Sequence, residues 1–483
     1  MILVISLVAL VLRLYRLGGN DLWYDEIYSV LISNNFLTDW NPPVYFAFLH
    51  YWIKLFGLSE FSLRFPSLIF SVVSIPCLFF LGKKIFNRQV GLYGALMMSL
   101  SGFHLWYAQE ARPYSLSVLL SILSTYYLYR FIKEGKIKFG FVYVLFSVLG
   151  LYTNITYYHL FLILIQFLAV VVFIKKKFFL KLIVLLSLIF CFFVLRLDLF
   201  ISKLLYVKVG FWIPEPTLKS LLFTLENFNL GYSASCGLYW FSNLIALIIL
   251  ILGLSVLQEK GEYRRNYVFL ILLSFLPLLL AYVFSKNIFS IYLDRGLIIF
   301  SPYYYLLLGA NLNYLKNKWL KIILYCVFLV VLLINLPNYY RNAMPVGVKH
   351  HFGVIPRKPY QPALRFIEDN FKAGDMIVHT NSSTQEVFKF YSRDKEMEQM
   401  FLFAPKMIDS NWSRPYVPGT DIFRVEDLAV VNPKRIWVVS CDWQRGNELD
   451  ENSQKVNFEM NKLYKLDLCL EFDGLWVHRY VKT

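Results

Sequence analysis

Charged residues make up only 17% of this 483-residue chain, against about 25% in a typical soluble domain. That shortage excludes an ordinary soluble enzyme. No Cys-x-x-Cys or Cys/His spacing is present, so structural zinc is left out. Internal repeats and low-complexity tracts are also absent. The apolar run that opens at Met1 lacks a basic leading region and a small-residue cleavage site, which argues against a signal peptide. It meets Arg13 early and is read as a short first span. Acidic residues are the minority, and the net charge is +16. The basic residues fall in short clusters between apolar runs, as in cytoplasmic loops, so the partners are membrane lipids and no nucleic acid.

What is present is apolar and aromatic, 58% and 18% of the chain respectively. Besides the first run, segments of spanning character lie at 61–81, 90–103, 114–131, 139–152, 158–174, 179–197, 238–257, 267–284, 297–312 and 320–336. The expected fold is a polytopic α-helical membrane protein with about 11 transmembrane helices and a C-terminal soluble α/β domain. Residues 44–56 form a short apolar stretch after Pro42-Pro43, contain Lys54, and fit an interfacial or re-entrant helix better than a span.

Loop charge sets the orientation. One alternate set of loops carries clusters such as Lys83-Lys84-Arg88, Lys175-Lys176-Lys177-Lys181 and Lys260-Arg264-Arg265. The short loops of the other set offer only Arg112, Lys286 and Arg295. The first set is therefore assigned to the cytoplasm, and the first loop and the C-terminal region to the outer face. The expected organisation is a transmembrane module over 1–337, with interfacial helices in a first loop at 18–60, then a linker at 338–360 and an extracytoplasmic α/β domain at 361–483. Strands are expected at 376–379, 435–440, 468–472 and 475–480, and helices at 363–371 and 385–391. Four cysteines, at 77, 191, 236 and 326, lie in or beside apolar runs and act as small hydrophobes. A Cys441–Cys469 pair is left open.

Three clusters on the assigned outer face carry chemistry. They are Asp25-Glu26 in the first loop, Gln109-Glu110-Ala111-Arg112 in a turn between two spans, and Asp294-Arg295 at the head of a late span. Each has a plain alternative. Asp25 and Glu26 would simply be solvated among interfacial aromatics, Glu110 would pair with Arg112, and Asp294 with Arg295. His104, His50 and His159 read as interfacial side chains rather than metal ligands. Sequons at Asn154, Asn381 and Asn411 are a pattern common by chance. Ionisable groups at such depths are costly and usually face a cavity. A sugar leaving a polyprenyl phosphate departs as an anion, so a cation must hold it. Arg295 suits that role, with Arg112 or Lys203 and Lys208 as substitutes. The acceptor hydroxyl needs one base, and Asp25 suits it.

The succession Trp23-Tyr24-Asp25-Glu26, Asn41-Pro42-Pro43-Val44-Tyr45, 56–67 and Tyr107 to Ser115 resembles the GT-C membrane glycosyltransferases. The specific group includes the protein O-mannosyltransferases, the lipid A aminoarabinose transferase and the Rgt galacturonosyltransferases. Arg295 and Pro302 resemble that group more loosely. The resemblance implies a polyprenyl-monophosphate sugar donor, an active site on the non-cytoplasmic face of the plasma membrane, and inversion at the anomeric carbon. By the same resemblance Asp25 is the catalytic base and Glu26 its helper, while Gln109, Glu110 and Arg112 form a second active-site loop and Arg295 binds the lipid phosphate. Related folds differ in using a divalent cation, so the metal stays open, with Asp25 and Glu110 as its ligands if one is bound. The chain departs from the pattern at Asn41, where His often precedes the proline pair, and at Gly296, where Tyr commonly follows the arginine. The rival classes are a transporter or lipid-linked sugar flippase, whose charges would sit mid-span, and an inactive sensor with a glycan-binding C-terminal domain.

Overall fold

The computed structural model describes residues 1–153, 156–171, 176–210, 213–346, 353–393, 395, 397, 399–403, 422–424, 433–441 and 451–482. Two compact units emerge. One comprises Met1–Leu17 and Val30–Val346, and the other Gly18–Ser29 and Gly347–Thr483.

The first unit is helical; segments 61–81, 114–131, 267–284 and 320–336 each fall within one helix, whereas 90–103 and 297–312 are divided between successive helices. Its helices are α1 (Ile2–Leu14), the end of α2 (Tyr24–Asn34), α3 (Pro43–Phe56), α4 (Glu60–Ile85), α5 (Arg88–Leu100), α6 (Gly102–Ala108), α7 (Tyr114–Glu134), α8 (Ile137–Leu151) and α9 (Thr156–Val171). They continue through α10 (Lys176–Val194), α11 (Leu197–Gly210), α12 (Leu218–Leu230), α13 (Cys236–Gly253), α14 (Glu262–Asn287), α15 (Asp294–Leu297), α16 (Ser301–Tyr314) and α17 (Lys318–Tyr340). Among the described residues five helices are long and apolar enough to cross a membrane, or six if the pair bent by 66° at α10 and α11 is one span; α1, α8 and α9 are shorter apolar helices. The protein is thus a multi-pass membrane protein.

Local sequence sets the helix ends. Ser59 caps α4 by accepting from the Ser62 N–H, and Asn87 caps α5 by accepting from that of Val90. Gly82 and Gly91 let α4 and α5 approach, since a Cβ on Gly91 would lie 2.4 Å from the Phe79 carbonyl oxygen. The first helix turns its large side chains outward: Leu3, Val4, Leu7 and Val11 are exposed, while Ile5, Ala9 and Arg13 form the buried stripe. That polarity is the inverse of a helix on a soluble protein. Fully buried Arg13 donates to the Ser71 hydroxyl (2.8 Å) and to the carbonyls of Ala9 (3.2 Å), Ser99 (3.0 Å) and Met98 (3.3 Å). Two of those carbonyls close the C-terminal end of α5, where the helix dipole favours a cation.

The second unit holds α18 (Tyr360–Asn370), α19 (Ser382–Tyr391) and α20 (Glu451–Leu463). Its strands are β1 (Asp375–His379), β2 (Gln399–Phe403), β3 (Ile422–Arg424), β4 (Arg435–Cys441), β5 (Lys465–Phe472) and β6 (Leu475–Val481). The six-stranded sheet runs β3-β2-β1-β4-β6-β5; its first four strands are parallel, and β6 and β5 are antiparallel. Asp473 and Gly474, both at positive φ, form the β5–β6 turn. Met376, Val378, Ile436 and Val438 on one sheet face pack against Val456 and Met460 of α20. The loop Gly18–Ser29, with the head of α2, belongs to this unit, although it is separated from it in sequence by more than 300 residues.

The Cys441–Cys469 pair left open by the sequence is ruled out, because both thiols are free. Cys441 lies opposite Leu475 and Cys469 opposite His478, so β6 runs between them. Two interstrand spacings of about 4.8 Å exceed the reach of a disulfide. Asn381 caps α19 by accepting from the Ser383 N–H; the sequon residues 154–155 and 411–413, like Lys175, lie outside the described residues.

Candidate functional site

The two adjacent carboxylates of the first loop differ in burial and in task. Both sit in the first turn of α2. Glu26 is fully buried, and its Oε2 accepts from the Trp23 N–H at 3.3 Å, the reach-back half of a capping box. Asp25 is half-buried and keeps access to solvent. Ser29 Oγ donates to the Asp25 carbonyl at 3.0 Å and so extends the local helix contacts of this turn.

The helical unit brings the second and third clusters together. Trp106 Nε1 donates to Glu110 Oε1 at 2.7 Å, which sets the carboxylate one turn beyond the indole. The Tyr107 hydroxyl meets that of Tyr232 at 2.7 Å. Tyr232 lies in the electrostatic field of Asp294, Arg295 and Glu110, and Tyr107 in that of Glu110 and Arg295. Asp294 accepts from Thr224 Oγ1 (2.5 Å) and Asn227 Nδ2 (2.9 Å). Glu110 and half-buried Arg295, far apart in sequence, therefore both act on the same pair of buried tyrosines.

Gln109 is a brace. Its Nε2 donates to the carbonyls of Arg13 and Tyr15, each at 2.9 Å, and its Oε1 accepts from Tyr339 at 2.7 Å. It thereby ties the end of α1 to α17.

Arg112 stands 5.9 Å from the Tyr114 ring. Together with Arg196 and Asp39 it sets the field at Lys203. Lys203 Nζ donates to Asn41 Oδ1 at 2.8 Å, and Arg196 Nη2 to the Asp39 carbonyl at 2.8 Å. The asparagine that departs from the family pattern is thus the residue that receives Lys203. Lys208 is exposed. The glycine at 296 also has a reason, since a Cβ there would lie 2.0 Å from the ring of Tyr158, whose hydroxyl donates to the Ile291 carbonyl at 2.6 Å. The aromatic ring beside Arg295 comes from α9 rather than from the next residue.

The sequence reading missed Thr224, Asn227 and Tyr232. Thr224 and Asn227 lie three apart on α12 and face Asp294 together. The available signal was this run of polar residues, Thr224, Glu226, Asn227 and Asn229, in the second half of a helix whose other polar residues, Lys219 and Ser220, lie in its first turn. His104 is a satisfied side chain, its Nε2 2.8 Å from Ser301 Oγ. Among the described residues no group of three or more His, Cys, Asp or Glu side chains could hold a metal ion.

Comparison with known proteins places this geometry. The family model described as dolichyl-phosphate-mannose-protein mannosyltransferase matches residues 40–196. Apo ArnT of Cupriavidus metallidurans superposes with a TM-score of 0.63 at 11% identity, over 99% of this chain and 97% of that one. The same enzyme bound to undecaprenyl phosphate gives 0.61 at 12% identity over the same shares. The apo oligosaccharyltransferase of Archaeoglobus fulgidus gives 0.55 at 10% identity, over 91% of this chain and 69% of that one. Comparison by sequence with curated proteins finds no match. The chain has the fold of the GT-C membrane glycosyltransferases.

Proposed function

We propose that this protein is a glycosyltransferase that moves a sugar from a polyprenyl-monophosphate donor to an acceptor hydroxyl, with inversion, on the outer face of the plasma membrane. Residues 1–337 form its transmembrane catalytic module, 338–360 its linker and 361–483 an extracytoplasmic domain. The observation that carries the reading is the convergence of Glu110 and Arg295 on Tyr107 and Tyr232 in a chain whose whole length follows the ArnT fold. The ArnT structure with undecaprenyl phosphate supports a lipid-phosphate donor.

In this reading the Asp25 carboxylate takes the proton of the acceptor hydroxyl. The acceptor oxygen bonds to the anomeric carbon from the face opposite the phosphate, and the bond from that carbon to the phosphate oxygen breaks. The electron pair leaves on the phosphate. Arg295 holds the departing phosphate, helped by Lys203, while Lys208 guides the lipid headgroup at the surface. Glu26 fixes the helix that carries Asp25, and Glu110 with Arg112 orients the sugar, both on a loop that Gln109 braces. A divalent cation, if one takes part, would be drawn to the carboxylates of Asp25 and Glu110. The acceptor is a lipid, a surface glycan or a protein.

The test is transfer from radiolabelled polyprenyl-phosphate sugars by purified wild type and Asp25→Asn. The substitution keeps shape and removes the base, so kcat is expected to fall by about 10³-fold in a folded variant. Equal transfer by both would remove Asp25 from the role. Solute or lipid movement in vesicles with no transfer from any donor would favour a transporter.

A further inference from the structure

The helix that carries Asp25 is preceded by Asp21 and Leu22, and both are fastened to the C-terminal unit. Asp21 accepts from the Gln361 backbone N–H at 2.7 Å and from Gln361 Nε2 at 2.8 Å. The Leu22 N–H donates to the Tyr391 hydroxyl at 2.7 Å. The first of these bonds fills a need in α18. Its N-cap is Pro359, which has no side-chain acceptor; Pro359 and Pro362 carry no N–H and the Tyr360 N–H donates to the Lys358 carbonyl, so the first-turn donor that needs an acceptor, beside the positive end of the helix dipole, is the Gln361 N–H. Asp21 supplies from the other end of the chain the carboxylate that a local Asp or Ser would normally supply. Tyr391 is the last residue of α19, so the loop is held by two different helices of the sheet unit. The flanking side chains Leu22, Trp23 and Ile27 are buried, which leaves the segment little freedom between the clamp and the first turn of α2.

We propose that the C-terminal unit positions the catalytic loop, with Asp21, Gln361 and Tyr391 as positioning residues that fix where the carboxylate of Asp25 stands. The proposal rests on the reading of Asp25 as the base, and it gives the C-terminal unit a part in catalysis rather than in acceptor binding alone. A base misplaced by about an ångström loses most of its effect, while donor affinity, set elsewhere, is untouched. The clamp therefore bears on kcat and not on KM.

The experiment uses full-length protein in nanodiscs and the variants Asp21→Ala, Asp21→Asn and Tyr391→Phe. Amide exchange of peptides covering residues 20–30 reads the clamp directly and does not depend on activity. Asp21→Ala is expected to speed that exchange about tenfold, with peptides from α4 and α7 unchanged. Transfer should lose about tenfold in kcat with donor KM held within about twofold. Asp21→Asn, which keeps an acceptor for the Gln361 N–H, should recover much of both losses. Tyr391→Phe removes one hydroxyl and serves if Asp21→Ala folds poorly. Unchanged exchange in Asp21→Ala and Tyr391→Phe would overturn the clamp. Faster exchange with unchanged kcat would overturn its catalytic role, as would a loss carried entirely by KM. Asp25→Asn is run alongside. If it retains transfer the base assignment fails by itself, and the exchange data still decide whether the clamp exists.

Discussion

Arg13 in the helical unit and Arg435 in the sheet unit are each held by several hydrogen bonds, but the partners differ in kind. Arg13 meets only neutral acceptors, three backbone carbonyls and one hydroxyl. Arg435 meets a carboxylate, donating from Nε and Nη2 to the two oxygens of Asp375, which also accepts from Trp437 Nε1 at 2.9 Å and the Lys372 N–H at 3.0 Å. In a helical membrane unit the ends of helices already supply concentrated negative dipoles, so a buried cation is accommodated with no titratable partner. In the sheet unit the compensation is an ion pair, which brings a dependence on pH.

The largest effect expected from breaking this contrast is at Arg13. Arg13→Met leaves the carbonyls of Met98 and Ser99 without a donor and should lower stability by about 3 kcal/mol, seen as a lower Tm in detergent. Arg13→Lys should recover little, because one ammonium cannot reach every acceptor. Next comes Asp375→Asn, expected to cost about 2 kcal/mol. It should be seen as faster amide exchange in β1 and β4 with α4 unaffected, and equal exchange in variant and wild type would mean the ion pair contributes nothing.

Acid should then bear on the sheet unit. Burial opposes ionisation of Asp375, yet its bonds from Arg435, Trp437 and the Lys372 N–H outweigh burial and hold its carboxyl below the usual range. Its contribution is present above the unfolded value of about 4 and is lost as pH falls through the lower folded value. His379, buried against Phe388, is pushed down to about 3 by burial. A histidine that stays neutral in the fold disfavours folding once pH drops below its unfolded value of about 6.5. Both signs agree, so the sheet unit should loosen progressively below about pH 6.5. Exchange measured between neutral and acidic pH checks this, and His379→Phe should flatten the upper part of the profile. The smallest effect is chemical: maleimide should label exposed Cys469 and spare buried Cys441 in the folded protein, and equal labelling would contradict the burial of Cys441.

Much of the helical unit was legible because apolar runs and their caps are local. Ser59 and Asn87 stand where a helix must start, and segments such as 61–81, 114–131 and 267–284 each found one helix, although 90–103 and 297–312 are broken into two. In the sheet unit the β1, β4, β5 and β6 segments were legible from alternating or β-branched runs. β2, β3 and α20 were not read. β3 has only three residues, and the amphipathic face of α20 is defined by the sheet it covers. Asp25, Glu110 and Arg295 were readable as unusual charges near apolar segments, whereas the convergence of Glu110 and Arg295 on Tyr107 and Tyr232 was not.

The sequence by itself determined that this chain folds as membrane helices with a polar α/β portion after them, because hydrophobic run length and periodicity act over neighbouring residues. Only the tertiary structure decided that Glu26 is buried as a cap while Asp25 keeps access to solvent, that Asn41 receives Lys203, and that Asp21 caps a helix by accepting from Gln361, 340 residues later. Desolvation and hydrogen bonding depend on which distant groups arrive together, and that pairing is fixed when the elements pack.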